Sequence, residues 1–168
     1  MIRKLEVEDI ETVCKIVNNN WIRVYQGYVN PVLIDENGCK EREIRLKKDF
    51  RSKRLSEYVW EEQGQVVAML SIGETADTDR IGDFEVWRIY IDSEFQGKGI
   101  GSQMLNFAEE TAKAKGYSNI VIWAFKNNIP AISFYNKHGY TIEKEEYLGE
   151  TYQAYGVRLI KEIGINLG

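Results

Sequence analysis

Between residues 84 and 124 the chain writes a strand, a glycine-rich turn, a helix and a second strand, and few architectures accommodate that unit. Phe84-Glu85-Val86-Trp87-Arg88-Ile89-Tyr90-Ile91 is rich in the β-branched and aromatic residues that fit a pleated sheet. Gly97, Gly99 and Gly101 then open a helix whose Met104, Leu105, Ala108 and Ala112 share one face, and Gly116 supplies its C-terminal stop. Ile120-Val121-Ile122-Trp123-Ala124 reads as a buried strand, which a right-handed crossover sets parallel to the first.

The rest of the pattern surrounds this βαβ unit with hairpins and helices. Ile2 to Leu5 reads as a strand, and Ile10, Val13, Cys14 and Val17 recur at helical spacing up to a break at Asn18-Asn19-Asn20. Trp21 to Ile34 is irregular, and Asp35 precedes an amphipathic helix reaching Arg54, anchored by Ile44, Leu46 and Phe50. Glu57–Glu61 and Val66–Ile72 form a hairpin about Gly64, followed by a polar loop from Glu74 to Gly82. Pro130 opens a short helix ending at Lys137-His138-Gly139, and Tyr140–Tyr147 with Tyr152–Ile160 make a last hairpin around Gly149. The order β-α-α-β-β-β-α-β-α-β-β predicts a single α+β domain over residues 1–168.

Composition removes whole classes of function. Twenty-two Lys+Arg against 26 Asp+Glu leave a net charge of -4, so no global positive field holds a nucleic-acid backbone. The basic run from Arg45 to Arg54 is interleaved with Asp49 and follows Glu41 and Glu43, as a solvated helix face would be. Two cysteines, Cys14 and Cys39, and one histidine, His138, give neither a disulfide framework nor a metal site, and His138 reads as a helix-end cation. Charge within the first few residues and the lack of a long apolar run predict a cytoplasmic chain without a membrane segment.

The chemistry concentrates in Gln96-Gly97-Lys98-Gly99-Ile100-Gly101-Ser102. Side chains are absent where the backbone must approach a ligand, and the following helix N-terminus favours a phosphate. A dinucleotide G-x-G-x-x-G begun at Gly99 would need a third glycine at Met104, and no G-x-x-x-x-G-K-[ST] run occurs. Gln96, Gly99 and Gly101 satisfy [QR]-x-x-G-x-[GA], and Asn128, Ala131, Phe134, Tyr135, Gly139 and Tyr140 satisfy a second pattern downstream. In these paired motifs the chain resembles the GCN5-related N-acetyltransferases (GNAT), most clearly over residues 57–160.

That resemblance implies a mixed, mostly antiparallel sheet with a central splayed parallel strand pair and flanking helices. It implies acetyl-coenzyme A as co-substrate, its pyrophosphate on the backbone of residues 96–102 and its pantetheine arm along Ile89, Tyr90 and Ile91, with Asn128 beside it. An alkylammonium acceptor needs a base, and Glu85, eleven residues before Gln96, sits where several family members place a catalytic glutamate. Strand alternation sets Glu85 on the same side as Trp87 and Ile89. Tyr135, the Tyr of the Phe-Tyr pair, is implied as the general acid for the leaving thiolate, and a backbone N–H near Ile89 would meet the developing oxyanion.

In the family the acceptor site draws on the first helices and the last hairpin, here Trp21, Tyr25, Tyr28, Tyr147, Tyr152 and Tyr155. Glu143, Glu145, Glu146 and Glu150 suit a small cationic amine such as a polyamine. Two alternatives stand beside this: a protein N-terminal or lysine acetyltransferase, and a non-catalytic acyl-coenzyme A sensor. The partners expected are a small-molecule or peptide amine, without nucleic acid or membrane, and a homodimer is left open.

Overall fold

The computed structural model describes residues 1–164. Its elements are β1 (Ile2–Lys4), α1 (Ile10–Tyr25), α2 (Glu36–Ser52), β2 (Ser56–Glu62), β3 (Gln65–Glu74), β4 (Phe84–Ile91), α3 (Ile100–Ala114), β5 (Asn119–Phe125), α4 (Ile129–Lys137), β6 (Thr141–Tyr147) and β7 (Tyr155–Glu162). The strands form one seven-stranded sheet in the order β1-β2-β3-β4-β5-β7-β6. Every neighbouring pair is antiparallel except β4 and β5, the two strands joined by the α3 crossover. The α+β order and the mixed sheet are those expected from the sequence.

Each face of the sheet carries its own core. Ile100, Met104, Leu105, Ala108 and Ala112 of α3 pack on Leu70, Ile72, Val86 and Ile122, while Val13, Cys14 and Val17 of α1 and Leu46 and Phe50 of α2 pack on Val59 and Met69. Adjacent strand positions thus feed opposite cores, as a pleat of period two requires. Among the described residues no helix is long and apolar enough to cross a membrane.

Two local expectations are corrected. The asparagine run does not end α1, which continues to Tyr25. Asn20 is buried, and its Nδ2 donates to the Ile16 carbonyl at 2.9 Å and the Ile91 carbonyl at 3.0 Å; Asn18 accepts from Arg42 at 2.8 Å. With those polar groups engaged in tertiary bonds, they no longer compete for the helix backbone. The second correction is a bulge at Trp87, where Ile72 pairs with Val86 but Ser71 pairs with Arg88. The extra residue breaks alternation, so Ile89 joins Phe84 and Val86 in the α3 core and lies on the face opposite Glu85.

Elsewhere local chemistry sets the boundaries. Asp35 caps α2 by accepting from the Gly38 N–H at 2.8 Å, and a Cβ at Gly38 would fall 2.2 Å from the Val32 carbonyl oxygen. The β4–β5 ladder spans only Phe84–Val86 against Ile120–Ile122. Beyond it the strands diverge, and that divergence positions the site.

Candidate active site

The glycine turn takes up a shape that only small residues tolerate. Gly97 and Gly99 have φ of 75° and 83°, in the left-handed region, and a Cβ on Gly101 would lie 3.2 Å from the side chains of Ile91 and Phe134. Gly99 is the N-cap of α3 and no side chain caps the helix, so the N–H groups of Ile100, Gly101 and Ser102 have no partner within it. Three free donors and the positive helix end make an anion cradle. Gln96 donates from Nε2 to the Ile91 carbonyl at 3.1 Å, so its side chain pins the turn and leaves the backbone to face outward. Lys98 lies over the Phe95 ring at 4.8 Å and the Ile100 side chain is buried in the core. Those two side chains do not line the adjoining cleft.

That cleft, of about 630 Å³, occupies the gap between β4 and β5 and runs on to the cradle. Ile89, Tyr90 and Ile91 form one wall, and Asn128, Phe134 and Tyr135 the other. The Asp92 N–H donates to the Val67 carbonyl of β3 at 2.8 Å, so by alternation the N–H groups of Ile89 and Ile91 face the open side. A thin chain bearing amides finds there the hydrogen-bonding edge that β5 has vacated. Asn128 accepts from the Ala131 N–H at 3.4 Å, capping α4 at the rim. His138 stands at the C-terminal end of α4, where the sequence sets it, and also bridges elements: Nδ1 meets the Phe134 carbonyl at 2.8 Å and Nε2 meets Ser102 Oγ at 3.0 Å. The carbonyl only accepts, so in the neutral ring Nδ1 is the donor and Nε2 accepts the Ser102 proton.

Tyr135 is buried at the cleft, and burial, with Tyr90 nearby, pushes its hydroxyl well above the ordinary tyrosine range. The phenol therefore stays protonated and able to donate at any working pH. Glu85 sits outside the cleft wall on the face toward α1 and α2, 6% exposed. Burial pushes its carboxyl up to about 7; the hydrogen bond from Thr75 opposes that and the neighbouring Asp77 adds to it. Thr75 Oγ1 donates to Glu85 at 2.7 Å and accepts from the Asp77 N–H at 3.2 Å, and Asp77 accepts from Trp123 Nε1 at 2.9 Å. Since Trp123 lines the cleft, hydrogen bonds connect Glu85 to its wall.

The structure thus brings Gln96, Gly97, Gly99, Gly101, Ser102, Ile89, Tyr90, Ile91, Asn128 and Tyr135 to one cleft and sets Glu85 behind it. Of the aromatics expected around the acceptor, Tyr25 lines this cleft, Trp21 and Tyr152 line a second one, and Tyr147 and Tyr155 lie against each other at the surface, ring centres 5.2 Å apart and tilted. The acidic residues assigned to a cationic acceptor are engaged internally: Glu143 with Arg80 and Arg158, Glu145 with Lys126, Glu146 with Lys144 and Glu150 with Tyr147. Sequence reasoning missed Asn20, Thr75 and Asp77. Only Asn20 left a signal, as a polar residue three positions after Val17 on the apolar stripe of α1.

Known proteins share this fold. The family model for the acetyltransferase (GNAT) family matches residues 17–140. A spermidine N(1)-acetyltransferase of Thermoplasma acidophilum is 30% identical over 151 residues, 84% of this chain and 88% of that one. Among solved structures, an N-acetyltransferase from Staphylococcus aureus Mu50 matches with a TM-score of 0.75 at 24% identity, covering 98% of each chain. An N-acetyltransferase from Thermoplasma acidophilum in complex with coenzyme A matches at 0.72 and 21% identity, covering 96% of this chain and 98% of that one. With its glycine cradle at the head of α3 and its parted central strands, the chain belongs to the GNAT family and is an acetyl-coenzyme A-dependent N-acetyltransferase.

Proposed function

We propose that residues 1–168 form one acetyltransferase domain that acetylates the primary amine of a small acceptor directly, without a covalent enzyme intermediate. The observation that carries the site assignment is the parting of β4 from β5 beyond Val86 and Ile122, which opens onto the uncapped N-terminus of α3. Bound acetyl-coenzyme A supplies an activated thioester. The N–H groups of residues 96–102 hold its diphosphate, and those of Ile89 and Ile91 hold its amide-bearing arm beside Asn128. The Ile89 N–H also steadies negative charge on the carbonyl oxygen as the amine attacks. Glu85 receives the proton of the acceptor ammonium, through water because it stands behind the cleft wall. Tyr135 donates its phenolic proton to the departing thiolate.

A polyamine is the finer reading of the acceptor, and the name of the Thermoplasma acidophilum relative supports it. The test is thiol release from acetyl-coenzyme A against polyamines, aminoglycosides, amino acids and short peptides. Turnover with a small amine is the expected result. Turnover with peptides alone would replace the small acceptor by a protein, and silence across the panel with retained coenzyme binding would leave a sensor.

A further inference from the structure

A second cleft, of about 190 Å³, lies between α1, α2, the bulged part of β4 and the turn before β7. Tyr90 lines both clefts, so an acceptor held in the smaller one reaches the larger at the wall where β4 and β5 part. Its charge is one-sided: Arg42, Arg45 and Arg88 line it and no acidic side chain does. Within a chain of net charge -4, such a concentration of guanidinium groups marks a recognition surface for an anion.

The three arginines differ in how far the protein has already satisfied them. Arg42 is buried, stacked 3.9 Å over the Trp21 ring, and donates to Asn18 and to the Leu33 carbonyl, all neutral partners. Its charge is thus uncompensated by any carboxylate among the described residues. Arg45, exposed one turn further along α2, has no ion pair or hydrogen bond among the described residues. Arg88 donates from Nη2 to Asp49, while its buried Nη1 has no hydrogen-bond partner, with Glu57 at 3.9 Å. Trp87 and Tyr152 complete aromatic walls around these groups, suited to the apolar stem of a small molecule.

Building on the small-amine reading above, and in place of a polyamine, we propose that this cleft is the acceptor pocket and that the acceptor carries an oxyanion, a carboxylate or a phosphorus oxyanion, besides the amine it presents for acetylation. Arg45 is the principal free donor for that group, its planar fork suited to a bidentate oxyanion, and Arg42 adds its uncompensated charge from behind. The amine then points past Tyr90 toward the cleft between β4 and β5.

Matched acceptors test this. Thiol release is measured with an α-amino acid of apolar side chain, its α-amide, the corresponding aminophosphonate, and spermidine. An acid or phosphonate acceptor should exceed the amide at least about tenfold in kcat/KM, and the acid-to-phosphonate ratio tells which oxyanion fits. Arg45→Glu should collapse the acid-to-amide ratio about tenfold, mainly through KM, whereas Lys48→Ala, exposed on the same helix away from the cleft, should leave it unchanged. Arg45→Gln should shift the ratio the same way to a lesser degree. Preference of the wild type for the amide or for spermidine, or an unaltered ratio in both Arg45 variants, overturns the oxyanion but leaves acetyl transfer to a small amine standing. Silence with all four acceptors overturns both.

Discussion

Glu85 is a carboxylate kept from water, and its surroundings decide what it does at neutral pH. Burial raises its pKa to about 7, so the form able to take a proton gains population as pH rises through that value. The kcat/KM profile should therefore climb with a midpoint of about 7, and Glu85→Gln should remove that limb and lower kcat/KM by about a hundredfold. The same shift has a consequence for stability. The unfolded chain releases this proton near 4.5 while the folded chain keeps it to about 7, so the group's contribution is present at low pH and is lost as pH rises through that interval. Denaturant titrations should show the decline in wild type and its absence in the Gln variant. Tyr135 lies at the other end of the transfer. Tyr135→Phe keeps the ring in its packing and removes only the proton, so turnover should fall about a hundredfold while the coenzyme dissociation constant, by calorimetry, stays within about twofold.

At the scale of elements, one buried cation binds the last hairpin to the loop after β3, beside the Arg80–Glu143 and Lys144–Asp79 pairs. Arg158 on β7, its side chain 2% exposed, donates to Asp77 at 3.1 Å, to Asp79 at 2.7 Å and to Glu143 at 2.8 Å. Arg158→Ala would take one partner from each of three carboxylates, and because Asp79 is half exposed and keeps Lys144 while Glu143 keeps Arg80, the expected loss is about 2–3 kcal/mol, below the full cost of a buried pair. Thermal unfolding should register it as a fall in Tm of roughly 5–10 °C. Elements of this kind were legible in the sequence wherever local pattern and tertiary demand agree: the βαβ unit from its apolar strands and glycine punctuation, α2 from Asp35. They were illegible where a tertiary bond overrides the pattern, as when Asn20 finds the Ile91 carbonyl and α1 runs on, or when one extra residue at Trp87 exchanges the faces of β4. The site divides likewise. The cradle is a local backbone feature and could be read from Gly97, Gly99 and Gly101, whereas the cations that pair with Glu143 and Glu145, and the meeting of Arg88 with Arg42 and Arg45, come from elements distant in sequence.

For the whole molecule, the sheet contains a stretch in which neighbouring strands stand apart, and a bound coenzyme would join them. Saturating coenzyme A at about a hundred times its dissociation constant should add about 2.7 kcal/mol of stability. For a chain of this size that is a rise in Tm of about 5–10 °C, measurable by differential scanning fluorimetry, and an unmoved Tm would contradict the placement of the coenzyme in this cleft. Unsatisfied strand backbone is ordinarily a hazard, since it templates pairing with other chains. Here the open edge of Ile89 and Ile91 is interior to the sheet, with Val24 and Tyr25 of α1 on one side and Ala131 and Phe134 of α4 on the other. A β-strand of another molecule, with side chains projecting from both faces, is too broad for that slot. The protein thereby keeps a strand edge available to an unbranched amide chain while denying it to aggregation.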